Sequence, residues 1–359
     1  MKILRVSQAV YPDEKGGGAY HVYALSRDQA AMGHDVTVLT TAGNSEKPSV
    51  EMRDGYRVLR CQPQVSPLGN DMSIELAKYL QQADDFDVVH AHSHLYFSTN
   101  LAALRRRLKG TPLAITNHGL FSQSAPKWVF DLYLATLGRW TFNQADVIFC
   151  YTNADRQRIQ QYGVKTPIEV VPNGIDTSRF TPAGDRSDEI TDNDISVLFV
   201  GRLVEGKRPQ DAIKAVQQLT PEYDITLYVC GTGPAREELE ELAGPETVFL
   251  GHVPYDRMPA IYRSADVLVL PSRAEGTPRV IMEALSTQTP VISSDLEQVR
   301  DAFGEAIRYV PLESPQAIAE QITTINNTHK APKLDERYQW ETTVEAVTRT
   351  FERLVQVER

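Results

Sequence analysis

Residues 195–219 read ISVLFVGRLVEGKRPQDAIKAVQQL, in which an apolar run gives way to a short polar loop and then to a helical pattern. The run Ile195–Val200 predicts a buried strand, and the spacing of apolar residues over Pro209–Leu219 predicts a helix. Two cations, Arg202 and Lys207, lie in the loop between them. Because open parallel sheets bind ligands at the carboxyl ends of their strands, this loop is placed where a diphosphate can be held.

A solvated loop position is the commoner situation for any single lysine or arginine. Both cations here precede a helix N-terminus, where the helix dipole disfavours positive charge. Their position therefore favours a bound anion over the solvated alternative.

The segment EGTPRVIME at residues 275–283 carries two carboxylates eight positions apart. Thr277 is predicted to cap a helix, with Pro278 in its first turn. Glu275 then falls on the preceding loop, and Glu283 falls about two turns into the helix. Backbone N–H groups at a helix start attract phosphate, and carboxylates accept hydrogen bonds from sugar hydroxyls, so the segment can hold a nucleoside diphosphate. The alternative is a loop glutamate followed by a solvent-facing helix glutamate.

Short apolar runs alternate with helical patterns along the whole chain, which predicts wound parallel sheets rather than a bundle or a sandwich. A chain of 359 residues exceeds what one hydrophobic core usually serves, so two domains are expected. The segment 181–194 is rich in Asp, Ser and Thr and is the predicted interdomain connection. Strands are predicted in the first half at 2–10, 35–41, 88–90, 113–116 and 147–150, and in the second half at 195–200, 225–229, 247–250, 267–270 and 290–293. A helix is predicted at 19–32.

Composition excludes several classes of protein. The net charge of −10 repels nucleic-acid backbones and argues against a nucleic-acid partner. The three cysteines are scattered without metal-ligand spacing, so no disulfide framework is expected. The first residues are interrupted by charge too early for a secretory signal, and no apolar run approaches the length of a bilayer span. These features lead us to expect a cytoplasmic protein.

Glycines and histidines mark the first half of the chain. The run GGG at 16–18 can bring backbone N–H groups close to an anion, although a flexible turn is the alternative. The run HAHSH at 90–94 raises the question of a metal site, but no further cluster at ligand spacing completes one. His118 directly follows a predicted strand and precedes Gly119, so its ring is expected to project beyond the sheet. An ordinary partly buried histidine bonded to backbone is the alternative.

Two further stretches concern the surface of the first half. Residues 104–109 are locally basic in an acidic chain, and residues 127–140 interleave aromatic and basic side chains. A surface that combines these basic and aromatic side chains can bind an anionic bilayer. The alternative is a helix face packed within the first domain, formed by Trp128, Leu132, Ala135 and Arg139.

These motifs, in this order and spacing, resemble glycosyltransferase family four, the retaining GT-B transferases that use sugar nucleotides. The resemblance extends over nearly the whole chain. It is carried by Gly16–Gly18, by His118 within 116–119, by 173–176 with Phe180, by Gly201 and Arg202 with Lys207, by 231–234, by 251–252, by 265–267, by 271–272, and by Glu275 with Glu283.

The resemblance implies an α/β fold of the GT-B type, with two Rossmann-like doubly wound parallel-sheet domains facing across a cleft. It implies an N-terminal acceptor-side domain at 1–178, which the C-terminal helix at 340–359 joins. It implies a C-terminal donor-binding domain for the nucleotide sugar at 179–339.

The resemblance also implies roles for individual residues. Glu283 is expected to accept from the ribose hydroxyls, Glu275 to hold sugar hydroxyls, and Val253 to meet the nucleobase through its backbone. The implied catalytic residues are Arg202, Lys207, Glu275 and His118. The implied donor-binding residues are Gly17, Gly18, Gly201, Gly231, Gly233, Val253, Thr277, Arg279, Val280 and Glu283. The implied acceptor-side residues are Gly16 and His92. The resemblance implies no metal and no cofactor other than the nucleotide-sugar substrate.

The implied activity is transfer of a hexose, with retention and without a metal, from a nucleotide-diphosphate sugar to a hydroxyl acceptor. A polyprenyl-linked or other lipid-linked saccharide, a membrane lipid or another glycan precursor would suit as acceptor. The enzyme is then expected in the cytoplasm, in peripheral contact with the inner face of the cell membrane through its N-terminal domain. Two alternatives stay open, namely a sugar-nucleotide epimerase of the same fold and a non-catalytic nucleotide-binding protein.

The chain departs from the family pattern at three places. Gln288 stands where the family usually has glycine, and Leu296-Glu297 replaces the usual glycine pair. Thr277-Pro278 replaces the commoner aromatic-glycine step. Because the glycine pair lets backbone approach the donor, we expect a reshaped or narrowed sugar pocket into which Glu297 can intrude.

Overall fold

The computed structural model describes residues 1–14, 16–41, 48–120, 127–191, 195–325 and 331–357. Within these residues the chain forms two compact units. The first comprises Met1–Asn173 together with Glu341–Arg359, and the second comprises Gly174–Trp340. Of the connection predicted at 181–194, residues 181–191 lie in the second unit and 192–194 fall outside the described residues.

Among the described residues, the first unit contains an eight-stranded sheet. Its strands are β1 (Lys2–Val6), β2 (Asp35–Thr41), β3 (Val50–Arg53), β4 (Tyr56–Cys61), β5 (Val88–His92), β6 (Leu113–Thr116), β7 (Val147–Cys150) and β8 (Ile168–Val170). The strand order is β3-β4-β2-β1-β5-β6-β7-β8, and only the β3–β4 pair of these neighbours is antiparallel. The order reverses between β1 and β5, which is the topological switch point of this sheet.

Helices of the first unit follow its parallel strands. They are α1 (Gly17–Ala31), α2 (Ile74–Gln82), α3 (Phe97–Lys109), α4 (Lys127–Tyr133), α5 (Arg139–Phe142) and α6 (Asn153–Gln161), and a π-helical turn at Leu134–Gly138 joins α4 to α5. The side chain of Ser73 caps α2 by accepting from the Leu76 N–H, and Gly110 ends α3 with φ 84°. Every residue of β5, β6 and β7 is buried, as expected for parallel strands covered on both faces.

In the part of the chain that the structure describes, the second unit contains a six-stranded parallel sheet. Its strands are β9 (Ile195–Val200), β10 (Ile225–Cys230), β11 (Thr247–Gly251), β12 (Val267–Leu270), β13 (Val291–Ser294) and β14 (Arg308–Val310). The strand order is β11-β10-β9-β12-β13-β14. Its helices are α7 (Pro209–Leu219), α8 (Arg236–Leu242), α9 (Met258–Ser264), α10 (Arg279–Ser286), α11 (Glu297–Phe303) and α12 (Pro315–Thr323).

The last helix, α13 (Trp340–Val357), returns to the first unit. Thr343 Oγ1 donates to the Pro172 carbonyl at 2.8 Å, and Thr350 Oγ1 donates to Glu169 Oε2 at 2.8 Å. In the described ranges no helix is both long and apolar enough to span a bilayer.

Two wound parallel sheets confirm the predicted fold class, while several element boundaries differ from the prediction. The strand predicted at 2–10 ends at Val6, because Ser7 Oγ donates to the Ala9 carbonyl at 2.8 Å and the chain turns there. Four strands, β3, β4, β8 and β14, were not predicted from the sequence, and β3, β8 and β14 are only three or four residues long. Short strands carry too few residues for a clear apolar pattern.

Gln288 occupies a strained position just after α10. Thr287 is the C-cap of this helix, and Gln288 follows it with φ 62°, in the left-handed region that glycine adopts without strain. Its N–H donates to the Leu285 carbonyl at 3.0 Å, and its carbonyl accepts from the Ala331 N–H at 3.1 Å, so the backbone here is held on both sides.

We expect Gln288→Gly to raise the free energy of unfolding by about 0.5–1 kcal/mol, because relief of the left-handed strain exceeds the entropy cost of glycine. Urea denaturation measures the change. Gln218→Gly, at an exposed position in the right-handed helix α7, is the matched control and should lower stability by a similar amount. A loss of stability in both variants would contradict the strain at Gln288.

Candidate functional site

The loops that follow β9 and β12 meet at the switch point of the second sheet. These two strands are neighbours, and the strand order reverses between them. Arg202 and Lys207 lie in the loop after β9, and Glu275 lies in the loop after β12. Since ligands of open α/β sheets bind outside the carboxyl ends of the strands at such a point, the fold brings two predicted segments to one candidate site.

Lys207 and Glu275 form an ion pair across these loops. The Lys207 Nζ donates to Glu275 Oε1 at 2.5 Å. Glu275 is only 8% exposed, so the ammonium replaces much of the stabilisation that water would give the carboxylate. Because an ammonium has three donors, Lys207 can hold Glu275 and still bind an anion.

Arg202 differs from Lys207 in having no side-chain partner in the described ranges of the chain. Its side chain is exposed and makes no hydrogen bond or ion pair with any residue that the structure describes. The five N–H donors of a guanidinium form a planar fork that matches two oxygens of a phosphate. Among the described residues, Arg202 is therefore a cation of this loop that remains available for a ligand.

Gly231 and Gly233 shape the loop that carries Arg202. A Cβ on Gly231 would lie 1.8 Å from the Gly201 carbonyl oxygen, and one on Gly233 would lie 2.3 Å from the Leu203 carbonyl oxygen. The Leu203 N–H also donates to the Thr232 carbonyl at 3.0 Å. The loops after β9 and β10 thus touch backbone to backbone, which is a packing reason for these glycines.

The predicted cap of α10 was wrong. Pro278 has ψ 118°, an extended value, so the helix begins at Arg279 and Pro278 is its N-cap without a side-chain bond. Glu283 consequently lies little more than one turn into the helix. The Thr277 hydroxyl does not cap the helix but is buried, with no hydrogen-bond partner among the residues that the structure describes. A buried unpaired hydroxyl beside a helix start indicates a place for water or a ligand.

Glu283 sits in a buried polar cluster. Tyr262 Oη donates to Glu283 Oε2 at 2.9 Å, and Tyr255 Oη donates to Glu283 Oε1 at 3.3 Å. Burial raises the pKa of Glu283, opposed first by the charge of Arg279, whose Nε lies 3.8 Å from Oε1. Arg279 itself donates to the Gly174 carbonyl at 2.8 Å. The solvent-facing alternative for Glu283 is excluded, since the residue is 4% exposed.

Two other residues predicted to bind the sugar donor, Val253 and Val280, belong to the hydrophobic core of this unit or pack against it. Val253 is buried in a hydrophobic cluster, and Val280 packs partly buried against it, so Val253 can meet a ligand only through its backbone. Leu296 also packs against that cluster. Glu297 begins α11 with an exposed side chain.

The first unit has its own switch point, between β1 and β5. Gly16 is the N-cap of α1 with φ 154°, and Gly17 and Gly18 open the helix with exposed backbone. A Cβ on Gly18 would lie 3.8 Å from His118 Nδ1, so the His118 ring packs against the first turn of α1. The structure therefore brings the glycine run and His118 together, a contact that was not predicted from the sequence.

His118 belongs to a chain of hydrogen bonds between side chains. Its Nε2 lies 3.1 Å from His92 Nδ1, and its Nδ1 lies 2.7 Å from Tyr151 Oη. Desolvation lowers the pKa of His118 to about 4 and places the pKa of His92 well below its ordinary value. Both imidazoles are therefore neutral at pH 7, and His118 is bonded to side chains rather than to backbone.

Of the three histidines in the run at 90–94, two lie side by side and the third lies apart. His90 Nε2 bonds to Thr116 Oγ1 at 2.7 Å, and the His90 and His92 rings are tilted by 49° with their centroids 4.2 Å apart. Ser93 has φ 65°, which ends the alternation of the strand, and His94 packs 4.9 Å from the Phe142 ring. No group of three His, Cys, Asp or Glu side chains that could hold a metal occurs in the described residues.

Several residues of these sites were not found from the sequence. Tyr151 directly follows β7, so the same strand-end rule could have indicated it. Tyr255 and Tyr262 reach Glu283 from a loop and from α9, and Arg273 contacts the loop of Lys207. No local sequence pattern predicts those contacts, because they join segments that are distant in the chain.

Comparisons with known proteins match this architecture. The family model for Glycosyltransferase Family 4 matches residues 15–179, and that for Glycosyl transferases group 1 matches residues 194–327. Glycogen synthase of Mycobacterium tuberculosis is 29% identical over 86% of this chain and 80% of its own. Sucrose-phosphate synthase from Thermosynechococcus elongatus has a TM-score of 0.82 at 20% identity, covering 99% of each chain. Anabaena HepE in complex with UDP-glucose has a TM-score of 0.79 at 20% identity, covering 98% of this chain and 99% of its own.

Two Rossmann-like units with these matches define a glycosyltransferase of the GT-B type. The chain belongs to glycosyltransferase family four. The resemblance drawn from the sequence and the GT-B fold class are thereby confirmed.

Proposed function

We propose that this glycosyltransferase moves a hexose from a nucleoside diphosphate sugar to a hydroxyl acceptor, with retention of the anomeric configuration and without a catalytic metal or cofactor. One arrangement in the second unit carries the proposal. The guanidinium of Arg202 and the ammonium of Lys207 lie at the switch point, and Glu275 links that loop to the segment that opens α10. The Thr277 hydroxyl, which has no partner within the described part of the chain, adds a hydrogen-bond donor for phosphate at the helix start.

The charge of the leaving group determines what the cations do. As the bond between the anomeric carbon and the phosphate oxygen breaks, negative charge grows on the nucleoside diphosphate. Arg202, Lys207 and the start of α10 then bind the transition state more tightly than the ground state, which raises turnover. The acceptor oxygen forms the new bond on the same face, and its proton passes to a phosphate oxygen of the leaving group.

The two glutamates divide the remaining donor contacts. A carboxylate has about four acceptor positions, of which Tyr255 and Tyr262 occupy two at Glu283. The others are proposed to accept from the two ribose hydroxyls. Glu275, held by Lys207, is proposed to accept from hydroxyls of the transferred sugar. Val253 and the glycines Gly201, Gly231 and Gly233 are proposed to offer backbone groups to the donor.

The first unit is proposed to hold the acceptor and the outer part of the donor. Gly17 and Gly18 present backbone at the start of α1, and His118 lies directly against that turn. As a neutral imidazole, His118 can position a hydroxyl without adding charge. Gly16 and His92 are proposed to line the acceptor side, with His92 orienting His118 through the 3.1 Å bond.

We expect Glu283→Ala to weaken UDP binding about 10-fold, and Glu275→Ala to change it less than about 3-fold, because only Glu283 is assigned to the nucleoside. Isothermal titration calorimetry with UDP measures both affinities. UDP is the first nucleotide to test because the related HepE was solved with UDP and with UDP-glucose. Equal affinities of the two variants would contradict the assigned roles.

Incubation with a panel of UDP-, ADP- and GDP-sugars and candidate acceptors tests the activity itself. Released nucleoside diphosphate with a new glycoside of unchanged anomeric configuration, observed by NMR in the presence of EDTA, is the expected result. An isomerised sugar nucleotide would instead indicate the epimerase. Binding without any turnover would indicate the non-catalytic nucleotide-binding protein.

A lipid-linked saccharide or a membrane lipid is the proposed acceptor class, reached by a cytoplasmic enzyme at the inner face of the membrane. The helix face formed by Trp128, Leu132, Ala135 and Arg139 supports this proposal, because it is exposed rather than packed within the first unit. Trp128 is 71% and Leu132 58% exposed, and Arg139 has no partner in the described part of the chain. Such an apolar and cationic surface suits an anionic bilayer.

The basic run at 104–109 contributes less than its composition indicates. Arg105 donates to the Leu80 and Ala83 carbonyls, Arg106 pairs with Asp146, and Lys109 pairs with Asp84. Arg107 is the one cation of that run without a partner among the described residues.

We expect the protein to co-sediment with vesicles rich in phosphatidylglycerol and not with phosphatidylcholine alone, because both apolar burial and charge contribute. Trp128→Ala combined with Leu132→Ala should reduce binding several-fold. Leu312→Ala, an exposed leucine of the second unit, is the control. Binding that does not depend on anionic lipid would count decisively against membrane contact.

A further inference from the structure

Five charged side chains join three loops of the second unit, and we call them the loop brace. They are Glu205, Arg208, Asp211, Arg273 and Glu313. Arg273 Nη1 donates to Glu205 Oε1 at 2.6 Å, and Arg273 Nε donates to Glu313 Oε1 at 2.8 Å. Arg208 Nη1 lies 3.5 Å from Glu313 Oε2, and Arg208 Nε donates to Asp211 Oδ2 at 2.5 Å. The loops after β9, β12 and β14 are thereby connected through side chains.

The loop brace surrounds the two residues proposed to work on the donor. Lys207 lies between the brace residues Glu205 and Arg208, and Glu275 follows Arg273 by two positions. The Arg273 N–H also donates to the Gly206 carbonyl at 2.9 Å, directly before Lys207. Through these contacts Arg273 fixes the separation of the two backbones that carry the 2.5 Å ion pair.

Backbone conformation gives a second indication that these loops are held in place. Arg208 has φ 52° and Glu313 has φ 58°, left-handed values that side chains other than glycine and asparagine adopt at a cost. Such strain persists where the surroundings determine the conformation, and it concentrates at functional sites. The ion pair between Arg208 and Glu313 joins the two strained residues to each other.

We propose that Arg273 is a positioning residue, whose guanidinium acts through Glu205 and Glu313 to keep Lys207 and Glu275 aligned on the donor diphosphate. The inference rests on the proposed function. Arg273 is 39% exposed, and exposed ion pairs contribute little to stability, so a role in folding alone predicts almost no effect of its loss. A small displacement of a catalytic cation, in contrast, costs up to about 100-fold in rate.

Arg273→Ala is expected to lower kcat about 10-fold with UDP-glucose, or with the donor of the panel that the wild type turns over, and to leave KM within about 2-fold. Arg273→Lys should recover part of kcat, because it restores one of the two contacts. Arg300→Ala removes another exposed arginine of the same unit, paired with Asp295, and should leave kcat unchanged. In a Lys207→Ala background, Arg273→Ala should lower kcat by less than about 3-fold, since part of its effect passes through Lys207 and only the part through Glu275 remains. Additive losses in that double variant, or an unchanged kcat in Arg273→Ala, would overturn the proposal.

Amide hydrogen exchange of the protein without ligand provides a readout that needs no donor. Exchange should accelerate over residues 203–208 and at 273–275 in Arg273→Ala, and not in Arg300→Ala. Unchanged exchange over these residues would refute the brace. If the wild type turns over no sugar nucleotide, the proposed function fails, and the exchange measurement still decides whether Arg273 holds the loops.

Discussion

Arg202→Ala is expected to lower kcat about 100- to 1000-fold while leaving the melting temperature within about 1 °C of the wild type. The loss in rate is expected because one hydrogen-bond donor directed at negative charge that develops in the transition state contributes about this factor to kcat. Stability should not change, because the guanidinium is exposed and makes no bond within the described residues. Release of nucleoside diphosphate and differential scanning fluorimetry measure the two quantities.

Arg349→Ala is the matched control for this variant. Arg349 is also exposed and without a partner in the described part of the chain, but it lies on α13. Its loss should leave both activity and melting temperature unchanged. Equal activity of the two variants would remove Arg202 from the proposed mechanism.

Lys207→Ala is expected to lower kcat by a similar 100- to 1000-fold and, unlike Arg202→Ala, to destabilise the protein. The ammonium is hydrogen-bonded to Glu275, which is 8% exposed, so its removal leaves a nearly buried carboxylate uncompensated. A cost of about 1–3 kcal/mol is expected, seen as a melting temperature lower by several degrees.

Two further variants separate the roles of Lys207. Glu275→Gln added to Lys207→Ala removes the uncompensated charge, so stability should return while kcat stays low. Lys214→Ala, which removes an exposed lysine from α7, should change neither quantity. A Lys207→Ala protein with normal turnover would show that the ion pair is structural only.

The architecture was predictable because its signals are local. Buried parallel strands give short apolar runs, and β9 and β12 were predicted within a residue of their observed bounds. The rule that ligands lie at carboxyl strand ends then selected Arg202 and Lys207 without knowledge of the strand order, and the predicted helix start after 275 selected Glu275. The sheet topology supplied what the sequence lacked, namely that the loops of β9 and β12 are neighbours.

Details that depend on backbone angles or distant contacts could not be predicted. The substitution of glycine by Gln288 is visible in the sequence, but its φ of 62° is not. Thr277 and Pro278 have the residue types of a helix start, yet the extended ψ of Pro278 shifts that start by one residue. Tyr262 reaches Glu283 from another helix, a contact set by tertiary packing.

The close approach of Gly231 and Gly233 to the carbonyls of Gly201 and Leu203 limits how this enzyme can diversify. A library that randomises the proposed donor site should return only glycine at these two positions, because a Cβ would overlap a neighbouring carbonyl oxygen. Altered sugar preference must then arise elsewhere, and the exposed side chain of Glu297 has room to change. Substitutions in the second unit are thus expected at positions where a new side chain does not collide with a backbone carbonyl.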